Sequence, residues 1–295
     1  MALRKRHDLK LNATIRPMGS RGFGIAIILI SALFFSTAGV FSKGISSDAW
    51  VIITWRAIFA AMLGILWLLA RGGLRSELRR FGGPALAISI VYACGTSAFI
   101  PAFKLTSIAN VALIWGTAPL VSALLAWVWL RETMSDRFFI SCLIVLVGVG
   151  ILVADSVGGV HLLGDSLAMI MTVMMAVMMT LYRRYPDTPV VLPTVLGGLL
   201  MVPVGFTVTN PLAAPVIDIL LCVAFALVFL VASVTLAMGS RLLAPGETAL
   251  LSLTETPYAI LLAFLILGAV PDVPTIIGGV MILGAIAWYQ LSMLR

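Results

Sequence analysis

Histidine is nearly absent from this 295-residue chain, with only His7 and His161, and its three cysteines stand singly inside apolar stretches. Cys94, Cys142 and Cys222 have no metal-ligand spacing and are odd in number, so they read as packing residues and imply neither a metal centre nor a disulfide framework. No GxxxxGK sequence is present to cradle phosphates, which disfavours an ATP-driven pump. No nucleophile is matched with a base, so the chain is not read as an enzyme, and no cofactor is implied. Charge is scarce too, at 11% of residues against 61% hydrophobic. The net charge of +7 sits in loops with no basic stripe interleaved with aromatics, so it implies no nucleic-acid partner.

What remains is apolar sequence in ten stretches: 22 to 43, 50 to 70, 83 to 103, 107 to 129, 137 to 154, 164 to 182, 190 to 209, 216 to 239, 246 to 269 and 273 to 293. A helix needs about 20 apolar residues to cross the hydrocarbon core, so ten spans use roughly two thirds of the chain and leave no room for a soluble catalytic domain. No alternating strand pattern appears, and in lipid only helices then satisfy their own backbone. Breakers fall between the stretches, at Arg71-Gly72-Gly73, Gly158-Gly159, Tyr185-Pro186, Asn210-Pro211 and Pro271-Asp272. The fold class expected is an all-α integral membrane protein of ten transmembrane helices.

The few cations orient those helices. Sixteen of nineteen Lys and Arg residues fall in alternate gaps, from the tail Arg4, Lys5, Arg6, Lys10, Arg16 and Arg21 to Arg295, whereas Lys43 and Lys104 alone occupy the others. The cation-rich gaps are cytoplasmic by the positive-inside rule, which puts both termini inside. Ten crossings divide into two five-helix halves of opposite orientation, an inverted repeat. The expected organisation is a basic cytoplasmic tail over 1–21, a first repeat over 22–154, an outer linker over 155–163 and a second repeat over 164–295.

Sequence matches support the duplication. Gly24 to Lys43 aligns with Gly164 to Arg183, and Asn110, Ile114, Thr117 and Pro119 align with Thr248, Ser252, Glu255 and Pro257, each 138 residues later. Cys142 to Gly148 aligns with Gly278 to Gly284. Spacings of i, i+4, i+7 put Asn110, Ile114 and Thr117 on one face of span four, and Thr248, Ser252 and Glu255 on one face of span nine. Polar faces in hydrocarbon must meet protein or water, so the two are expected to line a midplane cavity.

Glu255 is the least expected residue. It lies about nine residues, or roughly 14 Å, into its span, where an ionised group costs about 3 kcal/mol on insertion scales. It suits a substrate ammonium or a proton. Arg56, inside span two, is a candidate charge partner for Glu255, a receiver for a substrate carboxylate, or a side chain that snorkels to the interface. Pro119 and Pro257 are candidate hinges, because a missing amide hydrogen bond opens the helix. Tyr92, Thr96 and Phe99 share a face of span three, and Trp115 and Tyr258 accompany the polar faces. Phe229 and Ser233 complete the candidate path from span eight. Methionines 169, 171, 174, 175, 178 and 179 crowd span six, where soft packing or a sliding helix would use them.

These residues resemble the drug/metabolite transporter superfamily, specifically its EamA-type members. The resemblance rests on Ala102-Phe103-Lys104-Leu105-Thr106-Ser107, Ala112-Leu113-Ile114, Thr117-Ala118-Pro119-Leu120, Arg131-Glu132-Thr133, Glu255-Thr256-Pro257 and Gly278-Gly279 through Gly284. Two departures are plain: Val270 stands where the second copy would have a counterpart of Glu132, and Glu255 lies two residues before its proline. Within the superfamily the chain looks similar to the YddG-type exporters of aromatic amino acids. That resemblance implies a monomeric exporter of aromatic and other neutral amino acids in the bacterial inner membrane, working by alternating access with a small-molecule substrate and the lipid bilayer as its partners. Export of cationic or lipophilic drugs, with Glu255 as counter-charge, is the alternative, and a solute channel a further one.

Overall fold

The computed structural model describes residues 18–154, 161–267 and 271–293, all in helices and short connections. Most of the basic tail, residues 155–160 of the linker, Val270 and Arg295 lie outside the described residues. Nine helices among the described residues are long and apolar enough to cross a membrane. Leu66, Leu124, Trp127, Val128 and Leu143 point outward from them, as a polytopic protein in lipid requires.

Spans two, three, five, six, eight and ten are continuous: Ala49–Ala70, Gly83–Leu105, Asp136–Val153, Leu162–Arg184, Val216–Ser240 and Val273–Ser292. Side chains start several of them. Asp48 accepts from the Trp50 amide at 2.8 Å and Asp272 from the Thr275 amide at 3.0 Å, while Pro84 and Pro274 occupy first turns, where no amide donor is needed.

The other four spans are broken. Span one divides into Met18–Phe35 and Ala38–Gly44, and span seven into Val191–Leu199 and Val202–Val208. Span four divides into Ile108–Gly116 and Ala118–Leu125, followed by a π-turn over Ala126–Leu130 that ends on Arg131 in the left-handed region (φ 60°). The stretch expected as one span over 246 to 269 is two helices, Pro245–Ser252 and Glu255–Leu267. Pro257 has no N–H for the Leu253 carbonyl, and Pro119 none for that of Trp115, so the ladder tightens just ahead of each proline. Thr117 donates from its hydroxyl to Ile114 O at 2.7 Å, and Thr254 to Leu251 O at 2.8 Å. Span one breaks without a proline: Ser36 and Thr37 bond back to Leu33 and Phe34 carbonyls instead.

Contacts at one end of the bundle recur at the other with the halves exchanged. Span one packs on span eight as span six packs on span three, and spans five and ten pack on each other. Gly24 sits where a Cβ would come within 3.0 Å of Leu242, at the end of span eight; Gly164 sits where one would come within 2.8 Å of Thr106, at the end of span three. Lys104 donates to Ile45 O at 2.7 Å between spans one and two, and Arg241 to Thr188 O between spans six and seven. Asp218 accepts from Ser46 and Ser47 beside the start of span two, and Glu77 accepts from the amides of Val190, Val191 and Leu192 at the start of span seven. Glycines make the closest approaches, since without a driving force from water helices in lipid associate through backbone proximity and packing. A Cβ on Gly278 would lie 2.6 Å from Leu152 Cβ, and one on Gly148 would lie 3.1 Å from Gly278 O.

Candidate functional site

Two connected voids lie among spans one, three, four, six, eight and nine. The larger, partly open, has a cavity volume of about 130 Å³ and sits toward the end of the bundle where Gly39, Phe103 and Ile108 line it. The smaller, about 20 Å³, shares Phe35, Phe99, Met171 and Met175 with it and continues past Tyr92, Thr96, Phe229 and Ser233. Spans one, four and nine are each interrupted beside the larger void, and Met171, Met174, Met175 and Met178 line the voids with flexible thioethers rather than branched carbon.

Aromatic rings build the walls. Phe99 meets Phe103 at 5.1 Å and Phe229 at 5.5 Å, and Phe35 stands edge-on to Phe229 at 5.2 Å. Such pairs contribute about 0.5–1.5 kcal/mol each beyond area burial, so the wall is a packed unit.

The polar groups are few. Ser36 and Ser252 line the larger void but donate their hydroxyl protons to Leu33 O and Thr248 O, which leaves their oxygens as acceptors. Trp115, also in this lining, is buried with an indole N–H that has no partner. Glu255 is the one carboxyl among the described residues that line either void. The break at Leu253–Thr254 makes it the first residue of its helix, where a carboxylate gains from the helix dipole, and the void spares it contact with hydrocarbon. That combination of a carboxyl and aromatic faces fits a solute with a basic amine and a flat apolar body.

Arg56 does not pair with Glu255. The ion pairs among the described residues are Arg21 with Glu247 at 2.6 Å and Arg183 with Glu132 at 3.0 Å. Nor does Arg56 snorkel: it is 2% exposed, with its guanidinium carbon 3.9 Å from the centre of the Phe229 ring.

Of the thirteen residues expected along the path, the structure brings Tyr92, Thr96, Phe99, Trp115, Phe229, Ser233, Ser252 and Glu255 to the voids. Asn110, Ile114, Thr117, Thr248 and Tyr258 line neither. Span four turns its other face inward, through Ile108, Val111, Ala112 and Trp115. Its polar face is satisfied elsewhere, because Asn110 donates to Thr106 Oγ1 at 3.1 Å and to Asp165 Oδ1 at 3.2 Å, tying span four to span six. Thr248 is fully buried in packing. Phe35, Ser36 and Gly39 of span one line the larger void without being among the expected residues; the Ser36-Thr37 dipeptide, one residue short of Gly39, was the available signal. It also left Met171 and Met175 open between packing and function.

Comparison with known proteins agrees with this architecture. A crystal structure described simply as that of a protein superposes with a TM-score of 0.78 over 91% of this chain and 98% of its own, at 21% identity, a likeness of fold. Over 114 residues, 38% of this chain, the sequence is 32% identical to the uncharacterized transporter YyaM of Bacillus subtilis (strain 168). The match spans about a third of that relative's length, 36%. Residues 22–154, the first five spans, match the EamA-like transporter family.

Proposed function

We propose that the chain is a secondary exporter of small metabolites that exposes its central voids alternately to the two sides of the bacterial inner membrane, as a monomer with both termini cytoplasmic. The observation that carries this reading is the partly open void, about 130 Å³ in volume, walled by Phe35, Phe99, Phe103 and Trp115 and lined by one carboxyl, that of Glu255. The exchanged contacts at the two ends of the bundle support ten spans arranged as inverted repeats over 22–154 and 164–295, the architecture in which one half rocks against the other around a fixed midplane site. Breaks beside Pro119 and Pro257 give that motion hinges.

Neutral amino acids, aromatic ones first, suit the walls, with a ring against phenylalanine faces and the ammonium directed toward Glu255. One observation favours a second substrate class: among the described residues no Lys, Arg or His lines either void, so lipophilic cations would meet a counter-charge and no repulsion. Counterflow of labelled phenylalanine, leucine and a lipophilic cation in proteoliposomes, with and without a pH gradient, tests both. Saturable exchange of amino acids supports the first class, and exchange of the cation alone the second. Flux that neither saturates nor shows counterflow indicates a channel. In Glu255→Gln, cation exchange should fall about 10-fold or more, the loss of one desolvated charge interaction, while amino acid exchange should weaken by less and survive, because the ring contacts remain.

A further inference from the structure

We propose that Arg56 is a carboxylate-binding residue for the transported solute, a second polar subsite beside the smaller void; this rests on the amino acid reading above and narrows it to solutes bearing a carboxylate. A guanidinium stays charged at any physiological pH, and within a bilayer a buried cation needs a counter-charge. Arg56 has none of the protein's carboxylates as an ion-pair partner among the described residues. Asp218, on the same helix as Phe225 and Phe229, is engaged by Ser46 and Ser47. Instead the guanidinium lies over Phe229 at 3.9 Å and Phe225 at 5.5 Å and interacts with Tyr92, and its Nε–H has no acceptor.

Stacking of this kind fixes the plane of the fork and leaves its edge for a bidentate acceptor, the geometry a carboxylate matches. Phe229 and Tyr92 both line the smaller void, so a change of the Phe229 rotamer opens Arg56 to it. Ser233, one turn beyond Phe229 and lining the same void, is buried with an unpartnered hydroxyl that supplies a further donor. The solute therefore meets a carboxyl at Glu255 in the larger void and a cation at Arg56 beside the smaller one. A zwitterion finds a partner at each stage, whereas a simple amine finds one only at the first.

The test compares solutes that differ only in the carboxylate. Equilibrium binding of phenylalanine, 3-phenylpropionate and phenethylamine to the detergent-purified full chain is measured for the native protein, Arg56→Gln and Arg56→Lys, beside counterflow of phenylalanine and phenethylamine. Arg56→Gln is expected to weaken binding of the two carboxylates about 10-fold or more and to leave phenethylamine within about 3-fold; Arg56→Lys, a point charge without the fork, falls between. Native protein that binds neither carboxylate overturns the proposal, as does an Arg56→Gln protein that binds them unchanged. Equal weakening for all three ligands in both variants, with a lowered melting temperature, assigns Arg56 to packing and also overturns it. If carboxylates bind through Arg56 yet no counterflow occurs, the transport reading fails and the subsite stands.

Discussion

Arg21 donates to Glu247 at 2.6 Å and, through the same nitrogen, to Gln290 at 2.8 Å, so one guanidinium joins the starts of spans one and nine to the end of span ten. At the opposite end, Asp165 joins the starts of spans six and four through Thr106 and Asn110. The first tie closes the bundle on the side of the cation-rich loops; the second lies beside the larger void.

The Arg21 tie is expected to be worth more than an ordinary surface pair, because the Glu247 side chain is only 7% exposed. Arg21→Ala should destabilise by about 1–3 kcal/mol by leaving a buried acceptor unmet. A double-mutant cycle with Glu247→Gln, read from thermal unfolding in detergent, should return a coupling of about 1 kcal/mol; additive losses would show that the pair contributes nothing.

Thr248 supplies a contrasting case. Its hydroxyl is fully buried and has no partner, so Thr248→Val removes an unsatisfied group at nearly constant shape. The variant should be more stable by about 1 kcal/mol and should transport unchanged. A lowered affinity for solute would return Thr248 to the path.

Gly278 leaves no room for a side chain. Gly278→Val would force Leu152 and the backbone of span five aside, at a cost of about 1–3 kcal/mol from overpacking, seen as a lower melting temperature. Gly279→Ala, where a Cβ would meet nothing within 4 Å, is the control and should be neutral.

Asp272 caps span ten from the loop. The Thr275 hydroxyl, and then its amide, hold the carboxyl below the usual carboxylate range, so its contribution is present above the unfolded-state value, about 3.9, and is lost as pH falls through the lower folded value. Asp272→Ala should therefore lower the melting temperature at pH 7 and leave it unchanged at pH 2. Equal losses at both values would mean that the ionised cap is not the cause.

Much of the framework was legible because lipid imposes it: apolar length marked the spans, and breaker dipeptides marked the loops. The break in the ninth span was visible only as Pro257, since a proline in a helix can as readily bend as interrupt, and the outcome depends on whether Thr254 and its neighbours tighten the turn. The lining of the voids was harder. The face through Asn110, Ile114 and Thr117 looked functional because polarity in hydrocarbon needs a partner, but periodicity does not tell whether that partner is water, solute or another helix. For Asn110 it is Asp165. Aromatic and methionine faces, by contrast, look alike in a wall and in a core, so Phe35 and Met171 carried no signal of their own.

The breaks in spans one, four and nine all border the larger void, whereas spans two, three, five, six, eight and ten run unbroken. Three of the four broken spans thus border the space, span seven being the exception, while the unbroken spans three, six and eight supply its stiffer walls. A change in the volume of the contents can be absorbed by a few torsions at Ser36, Thr117 and Leu253 without disturbing the frame.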